Sequence, residues 1–232
     1  SGTLSMSGSL SIPGGLLVEQ GRLRVTQPLR LSTSAPAGAA IVDPSATLDV
    51  AVTGYSSLSS KVAFESSSVL LDAGSRLNVF AVDRSVAGNQ GVALLNNVDL
   101  SAVGPANYGG TIDLGNNDAI VRNASLATVR DWAKAGLAGN GGITASAADA
   151  YTGLAVRSPM SAFGFQDIAT FDGVSVGAAD VLVKFTYLGD TDLNGTLDAR
   201  DFTAVLNGFS NGLSGWENGD VNYDGVVNST DW

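Results

Sequence analysis

Leu10-Ser11-Ile12, Leu23-Arg24-Val25, Leu29-Arg30-Leu31, Leu48-Asp49-Val50-Ala51-Val52, Val69-Leu70-Leu71 and Leu77-Asn78-Val79-Phe80 are the runs on which the fold turns. In most of them apolar residues return at every second position, the period that points one side of an extended strand at a core and the other at solvent. Between them, from Leu4 to about Val103, stand Gly, Ser, Asn, Asp and Pro, which interrupt strands and favour tight turns. The runs are too short to bury an apolar side alone. They recur roughly once per ten to twenty residues, the range in which each coil of a β-solenoid supplies a strand. A mainly β chain with a β-solenoid body over residues 1–110 is therefore expected. A β-sandwich stays open as the alternative, because the uneven spacing fixes no period.

Beyond this body the pattern changes. Ile112-Asp113-Leu114, Gly115-Asn116-Asn117-Asp118 and Ala119-Ile120-Val121 read as strand, turn and strand. Ser125 then offers an N-cap for a helix to about Ala135, with Leu126, Val129, Trp132 and Ala133 on one face and Gly136 as terminator. Residues 138–162 are rich in Gly, Ala and Ser and read as loop, with a second short helix over 146–151. Val181-Leu182-Val183-Lys184-Phe185-Thr186-Tyr187 is dominated by β-branched and aromatic residues and reads as a strand. It closes a β-rich cap over residues 111–187 and delivers the chain into a third segment, residues 188–232.

Composition narrows the chemistry. The 232 residues are 44% apolar, enough for a core, and only 15% charged, a balance common in extracellular β proteins. Residues 188–232 hold eight acids (Asp190, Asp192, Asp198, Asp201, Glu217, Asp220, Asp224 and Asp231) against Arg200 alone, which accounts for −7 of the net charge of −10. Such a field attracts cations and repels phosphate backbones, so no nucleic-acid partner is expected. There is no Cys and no His, which removes disulfides, zinc thiolates and the commonest general base and leaves hard oxygen ligands as the available metal chemistry. The polar start shows no basic-then-apolar leader, and no run is long and apolar enough for a membrane span, so the chain is expected to begin inside a longer precursor.

The acids of the third segment are spaced in a specific way. An EF-hand loop needs oxygen ligands at positions 1, 3 and 5, Gly at 6, a carbonyl at 7, an apolar residue at 8, a polar group at 9 and a carboxylate at 12. Asp190, Asp192, Asn194, Gly195, the Thr196 carbonyl, Leu197, Asp198 and Asp201 fill these places. So do Asp220, Asn222, Asp224, Gly225, the Val226 carbonyl, Val227, Asn228 and Asp231, in the same register thirty residues on. Alternate positions converge because the chain is tightly curled, and a cage of six to eight oxygens at about 2.3–2.6 Å suits calcium better than magnesium. Two Ca²⁺ sites are expected. The first has four carboxylates to the second's three, so it is expected to be the tighter. Phe202 and Trp232 each follow position 12, and Phe202, Val205, Leu206 and Phe209 form a helical apolar face expected to pack on the partner loop.

On these loops residues 189–232 resemble a type I dockerin, the duplicated loop-helix module by which secreted bacterial proteins attach to cohesin domains. The resemblance lies in the ligand spacing, the Asp at position 12 and the lack of a helix before each loop. It implies a cohesin-like protein domain or a cell-surface glycan as partner. The family reads its partner through positions 10 and 11, here Ala199 and Arg200, then Ser229 and Thr230; the second pair is of the family's type and the first is not. The family continues into a helix after the second loop, beyond Trp232, a further reason to expect a weaker second site. Residues 1–187 resemble, in their Gly-Ser-Leu strand runs and the Asn-Asn-Asp turn before a Trp-bearing helix, the ends of bacterial surface proteins with autotransporter-associated β-strand repeats. Together the resemblances imply a secreted or cell-surface adhesion scaffold.

Dockerins also ride on polysaccharide-degrading enzymes, and β-solenoids include polysaccharide lyases and glycoside hydrolases, so a fragment of such an enzyme is the alternative. It would need clustered carboxylates. Asp49, Asp72, Asp83, Asp99 and Asp113 are available, but their sequence spacing gives no reason to stack them. Trp132, Trp216 and Trp232 are too dispersed for a sugar platform. Without His, a serine nucleophile would depend on Lys61, Lys134 or Lys184, and no motif surrounds any of them. No catalytic residue is assigned, and the expectation is a non-catalytic module.

Overall fold

The computed structural model describes residues 3–6, 10–12, 15–26, 29–31, 39–51, 62–85, 91–160 and 167–231. Its early strands come in triples. The first is β1 (Thr3–Met6), β2 (Leu10–Ile12) and β3 (Leu16–Val18), and the second β4 (Arg22–Val25), β5 (Leu29–Leu31) and β6 (Ala39–Val42). The third is β7 (Thr47–Val50), β8 (Val62–Ser66) and β9 (Ser68–Leu71), and the fourth β10 (Arg76–Val79), β11 (Val92–Asn96) and β12 (Val98–Asp99). First members pair in parallel with first members, second with second and third with third, so each triple is one coil of a three-faced β-solenoid. This parallel stacking sets aside the β-sandwich.

The register explains the uneven spacing of the runs. Thr3, Arg22, Thr47, Arg76, Thr111 and Gly142 occupy one position of the first face, at separations of 19, 25, 29, 35 and 31 residues. The first-face strands are three or four residues long throughout, so the differences arise in the stretches of sequence between strands. One residue further along, Leu23, Leu48, Leu77, Ile112 and Ile143 stack into an inner file, each buried. Burying each contributes roughly 1.5–3 kcal/mol. The expected strand at 48–52 is Thr47–Val50, and Val52 lies outside the described residues.

Past a small antiparallel pair, β13 (Ala102–Gly104) and β14 (Asn107–Tyr108), the coil continues with β15 (Thr111–Asp113) and β16 (Asp118–Arg122). In the chain position of a third-face strand stands α1 (Leu126–Leu137), with Ser125 Oγ accepting from Thr128 N at 3.1 Å. Gly136 does not end it. It lies inside the helix because a Cβ there would sit 1.9 Å from the Ile143 carbonyl oxygen, so its missing side chain lets α1 lie against the next strand, β17 (Gly142–Thr144). β18 (Thr152–Arg157), β19 (Thr170–Phe171), β20 (Val174–Ser175) and β21 (Val181–Tyr187) follow. β21 pairs antiparallel with both β16 and β18, ending the second face. The described part of residues 138–162 thus contains two strands where a loop was expected, and 146–151 forms turns, not a helix. β18, Thr-Gly-Leu-Ala-Val-Arg, is covered over most of its length, so it lacks the alternation that marks a half-exposed strand.

Candidate functional site

β21 leads directly into the acidic segment. Asp190, at 0% exposure, accepts on Oδ2 from Gly195 N (2.9 Å) and from the Thr186 hydroxyl. Asn194 N donates to Asp190 Oδ1 and to Asp192 Oδ1, both at 3.1 Å. Asn194 Oδ1 accepts from Thr196 N at 2.8 Å. Asp201 ties the end of the loop to its start, accepting from Thr191 N (2.8 Å) on Oδ1 and from Asp198 N (3.0 Å) on Oδ2.

Thirty residues later the same skeleton returns. Asp220 Oδ2 accepts from Gly225 N (3.2 Å), Asp224 Oδ1 from Val226 N (2.9 Å), Asp231 Oδ1 from Val221 N (3.0 Å) and Asp231 Oδ2 from Asn228 N (2.9 Å). Backbone conformation repeats as well, with Gly195 and Gly225 at φ +85° and +96° and Leu193 and Tyr223 at +64° and +58°. Glycine takes such angles freely, whereas Leu and Tyr pay about 1–2 kcal/mol each.

What offsets that cost is seating on the body. Leu193 and Tyr223 are buried in the same hydrophobic cluster as the solenoid, and the Tyr223 hydroxyl donates to the Leu154 carbonyl at 2.5 Å. Trp216, 1% exposed, donates from Nε1 to the Asp190 carbonyl at 2.7 Å and lies 6.0 Å from the Tyr223 ring. Beside it, Gly215 N donates to Asp220 Oδ2 (3.0 Å) and Arg130 of α1 pairs with Glu217 at 2.5 Å. One indole therefore bridges the two loops and the body. Sequence reasoning missed Leu193 and Tyr223; the available signal was a large apolar residue inside a stretch otherwise made of Asp, Asn, Thr and Gly.

The helix after the first loop, α2 (Ala199–Asn211), begins with a reciprocal capping box between Asp198 and Asp201. Its expected packing face is corrected: Phe202, Leu206 and Phe209 are 70%, 53% and 59% exposed, while Val205 is half-buried beside Gly219. The buried positions of α2 are Asp201 and Gly208. A Cβ on Gly208 would lie 2.1 Å from the Asn218 carbonyl oxygen, so the helix meets the turn Trp216–Asn218 along its glycine and turns its aromatic stripe outward.

The structure brings Asp190, Asp192 and Asp201 together, with one oxygen of each within 4.8 Å of the others. Burial raises the pKa of Asp190, and the nearby Asp201 and Asp192 charges add to this, against the hydrogen bonds from Thr186 and Gly195. Among the described residues, none of Asp190, Asp192, Asp201, Asp220, Asp224 and Asp231 forms an ion pair. In the second loop Asp220 Oδ1 is buried with no hydrogen-bond partner. Asn222 Nδ2 lies 3.1 Å from Thr230 Oγ1 and 3.3 Å from Asp224 Oδ2, and Asn228 Nδ2 lies 3.3 Å from the Val226 carbonyl. Asp198 and Asn228 serve as caps, accepting from Arg200 N (2.7 Å) and Thr230 N (2.8 Å), while Thr196 and Val226 are exposed. Trp232 lies outside the described residues.

Two features of the body bear on catalysis. Asp49 and Asp113, whose sequence spacing gave no reason to stack them, occupy one file of the first face with Asn78 between them. Asp49 is held by Arg22 (3.1 Å) and Asn78 (2.9 Å), and Asp113 Oδ1 accepts from Gly115 N and Ser146 N, both at 2.9 Å. Lys184 lies 3.4 Å from both Asp118 and Asp172. Burial works to lower its pKa, but the two carboxylates outweigh it and the net shift is upward, which keeps it cationic and unsuited to act as a base. Burial pushes Asp118 up to about 8, against the pull of Lys184. Lys134 is exposed on α1, and Lys61 lies outside the described residues. Comparison with family models, curated proteins and solved structures returns no match to the chain.

Proposed function

We propose that this chain is a non-catalytic secreted or cell-surface β scaffold whose residues 188–232 form a dockerin-like module that binds two calcium ions and serves for attachment. The observation that carries the reading is the repetition, after thirty residues, of one loop skeleton, whose first copy brings three carboxylates together without an ion pair among the described residues. Buried like charges need a cation or a proton. The orphaned Asp220 Oδ1 is what a site built around an ion leaves behind, since a ligand oxygen has no need of a hydrogen-bond donor.

Asp190, Asp192, Asn194, the Thr196 carbonyl and Asp201 would hold the first ion, and Asp220, Asn222, Asp224, the Val226 carbonyl and Asp231 the second, with Asp198 and Asn228 at the ninth positions. A bound calcium ion would neutralise and cross-link these oxygens. The chain's own residues do the rest: Trp216 and Tyr223 hold both loops against the solenoid, so the module doubles as a cap on its end. For attachment, the outward stripe Phe202, Leu206 and Phe209 suits a protein domain of cohesin type better than a polar glycan. Beside it an apolar hollow of about 410 Å³ is lined by Leu188, Leu197, Phe202 and Val205.

The second reading, a fragment of a polysaccharide-degrading enzyme, draws on the Asp49–Asn78–Asp113 file. Two rungs at about 4.8 Å each would part the carboxylates by roughly 9–10 Å, near the upper end of the inverting-glycosidase range. Both carboxylates are already engaged by neighbours, which favours a structural ladder.

Calorimetric titration with calcium, joined to hydrogen exchange of residues 189–231 with and without chelator, tests the proposal. Two uptake steps and protection that collapses in chelator are expected, by about 2.7 kcal/mol at a hundredfold excess over the dissociation constant. Absence of uptake at millimolar calcium, or equal protection in both conditions, would sink it.

A further inference from the structure

Lys184 faces two carboxylates that different parts of the fold bring to it. Asp118 opens β16 one step before Ala119, whose antiparallel partner is Val183 of β21, so Asp118 and Lys184 stand opposite each other on neighbouring strands. Asp172 comes from the turn between β19 and β20, and the ring of Phe171 beside it lies 5.1 Å from Lys184 Nζ. Nζ is 3.4 Å from Asp118 Oδ2 and 3.4 and 3.5 Å from the two oxygens of Asp172. The side chains of Lys184, Asp118 and Asp172 are 9%, 0% and 11% exposed, whereas the arginines paired with Asp49 and Asp113 are 50% and 45% exposed. Water is almost excluded from this lysine and its acids. The two carboxyl groups also hydrogen-bond to each other, which requires a proton between them, and burial favours that proton on Asp118. The other oxygen of Asp118, Oδ1, accepts from Phe185 N at 2.7 Å, with the Arg84 guanidinium 3.9 Å away.

We infer that Lys184 and Asp118 condense into an intramolecular isopeptide bond, with Asp172 carrying the protons. An amine and a carboxylic acid held side by side gain effective concentrations of about 10⁵–10⁸ M. Asp172 accepts a proton from the ammonium, and the freed electron pair of Nζ bonds to Asp118 Cγ. Charge gathers on Oδ1, where Phe185 N–H and Arg84 stabilise it. Asp172 passes its proton to Oδ2, the Cγ–Oδ2 bond breaks and water leaves. Nζ then gives a further proton to Asp172, which ends as the neutral acid beside a Lys–Asp amide. Nothing is oxidised or reduced, and no co-reactant enters. The resting ammonium does not forbid this: a base must be neutral at every turnover, whereas a nucleophile that reacts once needs neutrality only rarely. The bond ties β16 to β21 across 66 residues of chain, and so gives a sequence without Cys the kind of cross-link that a disulfide supplies elsewhere. It is independent of the calcium loops.

Intact-mass spectrometry of the folded 232-residue chain tests this. The mass is expected to fall short of the sequence value by one water, and tandem fragmentation of a digest to reveal a branched peptide that joins the segments of Asp118 and Lys184. Lys184→Arg keeps the charge and Asp172→Asn keeps the turn, yet each is expected to restore the full mass and abolish the branched peptide, with circular dichroism unchanged. The wild-type mass and digest stand by themselves should either variant fold poorly. A folded wild-type chain of full mass, a water loss that maps to a succinimide at Asp172-Gly173, or a water loss that persists in Lys184→Arg would each overturn the inference.

Discussion

The two acidic loops share a backbone and differ in what their carboxylates face. In the first, three carboxylates approach one another within 4.8 Å, and thirteen residues of α2 follow. In the second, Asp220 has one oxygen held by Gly215 N and Gly225 N and the other buried without a partner, while Asn222 spans toward Thr230 and Asp224. Position 8 differs as well: Leu197 is 58% exposed and Val227 is 2%. A repeated sequence thus reproduces hydrogen bonds made within a dozen residues. It does not reproduce burial, which depends on what each loop is set against.

The comparison can be broken most severely at the residue the loops share. Trp216→Ala removes the indole between Asp190 and Tyr223 and is expected to cost roughly 3–5 kcal/mol, with hydrogen-exchange protection falling in both loops. Loosening of one loop only would show that the bridge is not shared. Next in size, and resting on the calcium proposal, is the paired substitution of Asp201→Asn and Asp231→Asn. Loss of a ligand should weaken the matching calorimetric step by at least about 10–100-fold, more for Asp201→Asn because its site has more carboxylates. Equal losses would mean that the loops are equivalent. Asn222→Asp works in the opposite sense, giving the second loop a fourth carboxylate; its step is expected to tighten about tenfold, or 1.4 kcal/mol, and an unchanged or weaker step would deny that charge count separates the loops. Smallest is Tyr223→Phe, which deletes the bond to the Leu154 carbonyl and should lower stability to denaturant by about 1 kcal/mol. Leu193, its counterpart, has no such bond to lose.

How much of this was legible beforehand varies with the range of the interactions involved. Period-2 runs announced strands, and their short length announced stacking, because a strand's two sides are set by local geometry. Which strand lies on which could not be read, since equivalent positions of successive coils lie 19 to 35 residues apart, an irregularity that hides the repeat. The cap of α1 at Ser125 and the strand at 181–187 were likewise local and visible. Gly136 was misjudged because its role, admitting the Ile143 carbonyl, involves a strand beyond the helix.

By itself, then, the sequence determined the short strands, the turns between them and the two registered acidic loops, all consequences of backbone preference and spacing within about a dozen residues. Only the tertiary structure decided that Asp49 and Asp113 share a file, that α2 faces its glycine inward and its aromatic residues outward, and that Trp216 and Tyr223 fasten the acidic segment to the solenoid. These are contacts between residues far apart in the chain. Each is settled by which surfaces exclude water together, a property of the folded whole that no local pattern encodes.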